Sequence, residues 1–323
     1  MKTLMAFTLL ALSLPVQSGV TPFLGAWNMT GTGTNAGVVY WLEVKEDGGA
    51  VTGTFLNRFS SPYALANIKV ENGELSFWNN PRDPQQKPDP VWRAKVVDGK
   101  LVGTTTSTRN DGTTHVIEWT GVRPPAWPAS LNANGKHTYG KPISLFDGKT
   151  LDAWDVQHKQ NPMNWSVEDG VMSSTPKAGN NLVSKQRFKD FKLEAEYMLA
   201  PPNPQPMNGG IYLRGRYELQ QLDDAGQPIT KQSHMAIYGR TPPLVNASRK
   251  AGEWQTVEAI VVGNRVTVTL NGGKVHDNAV IEGITGGALD ANETEPGPLM
   301  LQGDHGKVSF RTIVVTPITR AGS

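Results

Sequence analysis

The side chains best placed to do chemistry lie between Asn208 and Asp224, in the stretch NGGIYLRGRYELQQLDD. At the two-residue period of a strand, Ile211, Leu213, Tyr217 and Leu219 fall on one face, and Tyr212, Arg214, Arg216, Glu218 and Gln220 on the other. A phenol, two guanidinium groups, a carboxylate and an amide in one row form a surface suited to sugar hydroxyls. A plain solvated face of an antiparallel sheet gives the same alternation, so the pattern alone leaves both readings open. A second strand-like run, DFKLEAEYML, puts Phe191, Leu193, Ala195 and Tyr197 on one face and Lys192, Glu194 and Glu196 on the other. Carboxylates two residues apart on one face sit about 7 Å apart, close enough to shift each other's proton affinity if water is removed.

These rows must be carried by sheets. The chain has 323 residues, 34 Gly and 23 Pro, with little long helical periodicity. That composition predicts an all-β protein of short strands and tight turns, with a length suited to about two domains. Formal net charge is +2 with charges scattered, which argues against nucleic acid as a partner. The N-terminus reads as a cleavable export signal over residues 1–19: Lys2, an apolar run from Leu4 to Leu14, and small residues before Gly19. That run is too short to span a bilayer. There is no cysteine, hence neither a disulfide framework nor a lipid-bearing cysteine at the cleavage point, and a periplasmic or secreted protein is expected.

Residues 20–125 alternate strand-like runs with Asx-Gly turns at Asp47, Asn72, Asp98 and Asp111, which predicts an up-and-down small β-barrel or sandwich. It resembles the lipocalin-like accessory domains of exported bacterial proteins, without a specific motif. Its aromatic residues are expected in the core, with Trp78 or Trp92 as the candidates for a sugar platform. The segment PRDPQQKPDP, residues 81–90, is too rich in proline for a strand interior and is expected to be a protruding loop. Residues 126–142 change texture and are expected to be a linker. From residue 143 to 318, about nine strand candidates without crossover helices, HMAIYG among them, predict a jelly-roll β-sandwich.

Several ordered motifs in this second unit resemble the 3-keto-disaccharide hydrolase domain family, formerly a domain of unknown function: LFDGKTLDAW, DFKLEAEY, NGGIYLRGRYELQ, AIYG before a proline pair, AGEWQTVEAIVVGNRVTVTLNG and PGPLMLQGDHGKVSFRTIVV. Gly209, Gln255, Thr312 and the Asp304 preceding His305 depart from the usual pattern of the family. The resemblance implies a concanavalin A-like sandwich and chemistry on sugars oxidised at C3. A C3 ketone acidifies the C2–H, a base removes that proton, and the enediolate expels the C1 substituent. Water then adds to the unsaturated keto sugar. Such a route needs a base, a holder of negative charge on O3 and an acid for the leaving oxygen.

On that footing Glu218, His305, Arg214 and Glu194 are the catalytic candidates. Glu218 ranks first among the carboxylates, Arg214 would hold oxyanion charge through its planar fork, and His305 matches the closing HG of the family. Glu196, Tyr212, Gln220, His234, Tyr238, Lys250 and Trp254 are the candidates for binding sugar. If the loop after Ala200 turns straight back, Arg214 instead pairs across strands with Glu194. No cofactor signature is present, and no HxH, HExxH or acidic ligand loop marks a metal site. A divalent metal, calcium being frequent in this fold class, is left open. The implied partner is an oxidised disaccharide or glycoside, supplied by a sugar 3-dehydrogenase. The alternatives are a non-catalytic carbohydrate-binding module and an envelope adhesion protein, because fold does not fix function.

Overall fold

In the computed structural model, residues 19–79, 88–175, 179–201 and 207–322 are described. The export signal and most of the 81–90 loop lie outside them. The first nine strands are β1 (Gly25–Gly31), β2 (Val39–Asp47), β3 (Ala50–Leu56), β4 (Tyr63–Leu65), β5 (Lys69–Glu71), β6 (Glu74–Trp78), β7 (Val91–Val97), β8 (Lys100–Thr108) and β9 (Thr114–Val122). They form one antiparallel meander in the order β4-β3-β2-β1-β9-β8-β7-β6-β5, curled around Trp27, Tyr40, Phe55, Phe77, Trp92 and Trp119. The Trp92 ring lies 4.9 Å, centroid to centroid, from Tyr40 and also from Phe55. Trp92 is therefore core and not a sugar platform, since side chains fill the interior of so small a barrel.

The second unit holds β10 (Thr138–Tyr139), β11 (Ile143–Ser144), β12 (Trp154–Val156), β13 (Trp165–Glu168), β14 (Val171–Ser174), β15 (Leu182–Phe188) and β16 (Phe191–Leu199), then β17 (Asn208–Leu213), β18 (Tyr217–Leu222), β19 (Gln255–Val262), β20 (Arg265–Leu270), β21 (Gly273–Val280), β22 (Gly297–Leu301) and β23 (Val308–Arg320). Two antiparallel sheets result. One runs β13-β14-β23-β16-β19-β20-β21, with β10 and β11 also paired to β23, and the other runs β12-β15-β22-β17-β18. The inner face of β16, Phe191, Leu193, Ala195 and Tyr197, packs in one buried core with Ile211, Leu213, Tyr217 and Leu219. The all-β, jelly-roll expectation holds.

Three details differ from the expectation. The segment HMAIYG is not a regular strand, but caps the edge of β18 through Met235 N to Gln220 O (2.6 Å) and Tyr238 N to Glu218 O (3.0 Å). The expected linker is laced to the second unit: Asn134 Nδ2 donates to Asp277 (2.6 Å), and Ala133 N donates to Asn278 (2.9 Å). The row around Glu218 is a hairpin, in which β17 and β18 are joined by Arg214-Gly215-Arg216. Leu213 pairs with Tyr217 and Tyr212 with Glu218, so the turn holds three residues and keeps odd opposite odd. Alternation therefore runs through the turn unbroken and imitates one long strand. Arg214 and Gly215 take φ of 55° and 66°, the conformation that such a turn requires.

The two units share apolar packing. Val39, Trp41 and Leu56, from the meander, belong to the same buried cluster as the sandwich core. The Arg240 guanidinium lies 4.4 Å from the Trp41 ring and donates to the Ile284 carbonyl from Nε (2.8 Å) and from an Nη (2.6 Å). Trp41→Ala is expected to destabilise the protein by about 3 kcal/mol or more, as large buried aromatic deletions do, in a urea titration of the full chain.

Candidate active site

On the outer face of the five-stranded sheet lies a cleft of about 400 Å³, a volume in the range of small-molecule sites. Glu218 and Tyr212 stand opposite each other on β18 and β17, and Gln220 follows Glu218 on the same face. Gly210 faces Gln220, and a Cβ there would lie 2.4 Å from Glu218 Oε1, so the missing side chain is what makes room for the carboxyl group. His305 and Asp304 reach the cleft from the loop between β22 and β23, with Nδ1 of His305 2.6 Å from the Asp304 carboxylate.

Glu218 is 3% exposed, and burial pushes its pKa up to about 8, opposed by the Tyr212 hydrogen bond and the nearby His305 charge. The hydrogen-bond geometry agrees with a proton on this group. The Tyr212 hydroxyl lies 2.9 Å from Glu218 Oε2 and 2.9 Å from the Gly286 carbonyl. Its single proton can satisfy one of them, and a carbonyl can only accept. Both contacts are hydrogen bonds only if the phenol donates to Gly286 while a protonated Glu218 donates to the phenol. When Glu218 ionises, the phenol can rotate its proton to the carboxylate. With the Gln220 amide oriented to satisfy both its ends, its nitrogen donates to Glu218 Oε1 (3.1 Å) and to the Gly209 carbonyl (3.0 Å). Asp304 raises the pKa of His305 through its hydrogen bond, against the opposing effect of burial, which favours an imidazolium facing the cleft.

Of the sequence candidates, Glu218, Tyr212, Gln220, Tyr238 and His305 line this cleft. The others lie elsewhere. Arg214 is buried at the hairpin tip, where its guanidinium donates to the carbonyls of Gly263 and Glu293 and points at no cleft atom. Arg216 beside it is held by Asp290 (2.5 Å) and the Glu295 carbonyl (2.8 Å). Glu194 is bound to Lys192 (3.0 Å) and Glu196 to Arg311, on a separate groove of the nine-stranded sheet. The Glu194–Arg214 pair does not form, because β16 pairs with β19 and β23 while Arg214 belongs to the opposite sheet. His234 is buried between the sheets, with Nε2 2.5 Å from the Tyr197 hydroxyl. Lys250 is exposed, and Trp254 is covered by the Arg311 guanidinium at 4.4 Å, both outside the cleft lining.

Sequence reasoning passes over Asn208, Gln302, Asn181 and His158, which also line the cleft, and Arg58 and Phe59 from the N-terminal meander. Asn208 Oδ1 and Gln302 Oε1 are buried without a protein partner, as acceptors waiting for hydroxyl donors would be. Asn208 opens the NGG motif and Gln302 ends PLMLQ, so their places beside motif residues are the available signal. Among the described residues no group of three or more His, Asp or Glu side chains is placed to share a metal ion. Among those residues no helix is long and apolar enough to cross a membrane.

No curated protein matches the chain. Among solved structures it is similar to three from Parabacteroides distasonis, each described as a candidate glycosyl hydrolase. One is 30% identical, with 60% of this chain and 93% of that one covered and a TM-score of 0.48. The second is 19% identical, with 54% and 92% covered and a TM-score of 0.44. The third is 22% identical, with 55% and 100% covered and a TM-score of 0.43. Residues 141–316, more than half of the chain, match the model of the 3-keto-alpha-glucoside-1,2-lyase-like domain, and the chain belongs to that family.

Proposed function

We propose that the protein cleaves the glycosidic bond of 3-keto glycosides by elimination and hydration in the cleft around Glu218. The observation that carries this reading is a buried carboxyl group whose pKa is pushed up to about 8, sharing a cleft with an imidazole whose pKa is raised by its hydrogen bond to Asp304, in a chain of this family. A carboxylate of such raised basicity suits removal of a C–H proton that a neighbouring ketone has acidified. Glu218 takes the C2 proton, and the C2–H electrons move into an enediolate with charge on O3. As the C3 carbonyl re-forms, a C1=C2 double bond forms and the C1–O bond breaks, with the leaving oxygen receiving the His305 proton. Water then adds at C1, giving up a proton to the now neutral His305, and a proton returns to C2 from Glu218, so both groups regain their starting states. Tyr212 accompanies the proton on Glu218 by turning its hydroxyl. Asn208, Gln220 and Gln302 receive the sugar hydroxyls.

The substrate requires prior oxidation at C3, which assigns its supply to a sugar 3-dehydrogenase. The export-signal pattern of residues 1–19 supports a periplasmic or secreted setting for this chemistry. The test is turnover of matched 3-keto and unoxidised disaccharides in deuterium oxide. Release of the leaving sugar from the 3-keto compound alone, with deuterium at C2, is expected. Equal hydrolysis of the unoxidised compound without C2 exchange would replace elimination by a two-carboxylate glycosidase route.

A further inference from the structure

The cleft is not built by the family domain alone. The loop joining β3 to β4 enters it from the N-terminal meander, and its backbone is wedged between two loops of the sandwich. Gly287 N donates to the Arg58 carbonyl (2.8 Å), and Gln232 Nε2 donates to Ser61 Oγ (3.2 Å). A Cβ on Gly286 would lie 2.6 Å from the Ser60 carbonyl oxygen, and one on Gly239 2.7 Å from Ser61 Cβ, so both loops approach at distances that only glycine permits. Within the loop, Arg58 N donates to Asn57 Oδ1 (2.8 Å) and Ser60 N to the Asn57 carbonyl (3.2 Å). The backbone is fixed, yet Phe59 puts its ring in none of the core clusters. It is 70% exposed at the cleft lip, with the Arg58 guanidinium 4.5 Å from its centroid.

The rest of the cleft lining is rich in amides and ionisable groups, with Met300 and the rings of Tyr212 and Tyr238 among them. Asn208, Gln220 and Gln302 share the cleft with Glu218 and suit the remaining hydroxyls of the oxidised sugar. An exposed aromatic ring carried on a fixed backbone, with a guanidinium beside it, suits another kind of surface, an apolar C–H or aryl face with polar edges. We propose that Arg58 and Phe59 form the subsite for the leaving group, Phe59 as the platform under the ring attached through C1 and Arg58 as donor to its substituents. This rests on the elimination reading of the cleft and adds to it a preference for leaving groups that are rings over small alcohols. It also gives the N-terminal meander a part in substrate choice.

The test uses the full chain and three 3-keto glucosides whose leaving groups are methanol, p-nitrophenol and glucose. Phe59→Ala is expected to raise KM about 10-fold for the aryl and glucosyl compounds and to change KM for the methyl compound less than about twofold. A platform touches no reacting atom, so kcat should stay within about twofold for all three. Phe59→Tyr should restore KM, and the melting temperature should not move, because the ring is outside the core. An effect on the aryl compound alone assigns the subsite to aromatic leaving groups, and one on the glucosyl compound alone assigns it to disaccharides. Unchanged KM for both ring compounds, or an equal rise for the methyl compound, overturns the proposal. If the wild type turns over no 3-keto glucoside, the elimination reading fails by itself. The platform is then judged by calorimetric binding of unoxidised phenyl glucoside and disaccharide: about 10-fold weaker binding to Phe59→Ala supports it, while equal affinity or no binding to the wild type overturns it.

Discussion

Glu218→Gln is expected to lower kcat on a 3-keto glycoside by about 10²-fold or more, the usual contribution of a positioned proton-transfer group. The replacement keeps shape and burial and removes only the ability to ionise and accept a proton, so KM should change little. Two pH measurements separate this from a folding defect. Glu218 has a folded pKa of about 8, above its ordinary 4.5, so the folded state holds an extra proton between those values. Its contribution to stability is therefore complete below about pH 4.5 and is lost as pH rises through about 8. The amide introduced by Glu218→Gln cannot ionise, and the variant should lose that part of the decline and melt higher than the wild type near pH 8. In the wild type, kcat/KM should respond to pH through two opposed ionisations: it gains as Glu218 gives up its proton near 8 and loses as His305, whose pKa Asp304 raises, gives up its own. A Glu218→Gln variant with wild-type turnover would remove the carboxyl group from the chemistry.

Gly210→Ala is expected to lose a comparable factor, about 10²-fold in kcat, without replacing any titratable group. The new Cβ would sit 2.4 Å from Glu218 Oε1 and 2.9 Å from its Cγ, inside contact distance of both. The carboxyl end can swing away, so the sheet should survive, but a displacement of about 1 Å at a reacting group is enough to cost this much. Circular dichroism and melting close to wild type, with turnover collapsed, are the expected pair of results. Turnover retained within a few-fold would show that the carboxyl group need not occupy this position.

Trp92 and Arg214 show where sequence reasoning stops. Residue type and strand position make both of them candidates to meet a sugar. Each is consumed by the fold: Trp92 by the aromatic core of the meander, and Arg214 by backbone carbonyls at the hairpin tip. Neither outcome has a local signal, because the partners of Arg214 are 49 and 79 residues away in the chain. Glu194 and Glu218 make the same point as a pair. Both alternate with apolar neighbours, but one faces solvent beside Lys192 and the other faces a cleft.

Periodicity by itself determined the all-β class, the inward faces of β16 and of the β17–β18 hairpin, and the row that holds Tyr212, Glu218 and Gln220, because side-chain direction in a strand is a local property. The ordered motifs determined the family. Only the tertiary structure decided which polar groups share one cleft. Whether a face is water, core or site depends on what covers it, and covering is done by segments remote in sequence. Glu218 has its raised pKa because β17, the loop at Gly286 and the loop carrying His305 close around it. Arg58 and Phe59 reach the same cleft because Val39, Trp41 and Leu56 bury their apolar surface in the sandwich core and so fix the meander against it.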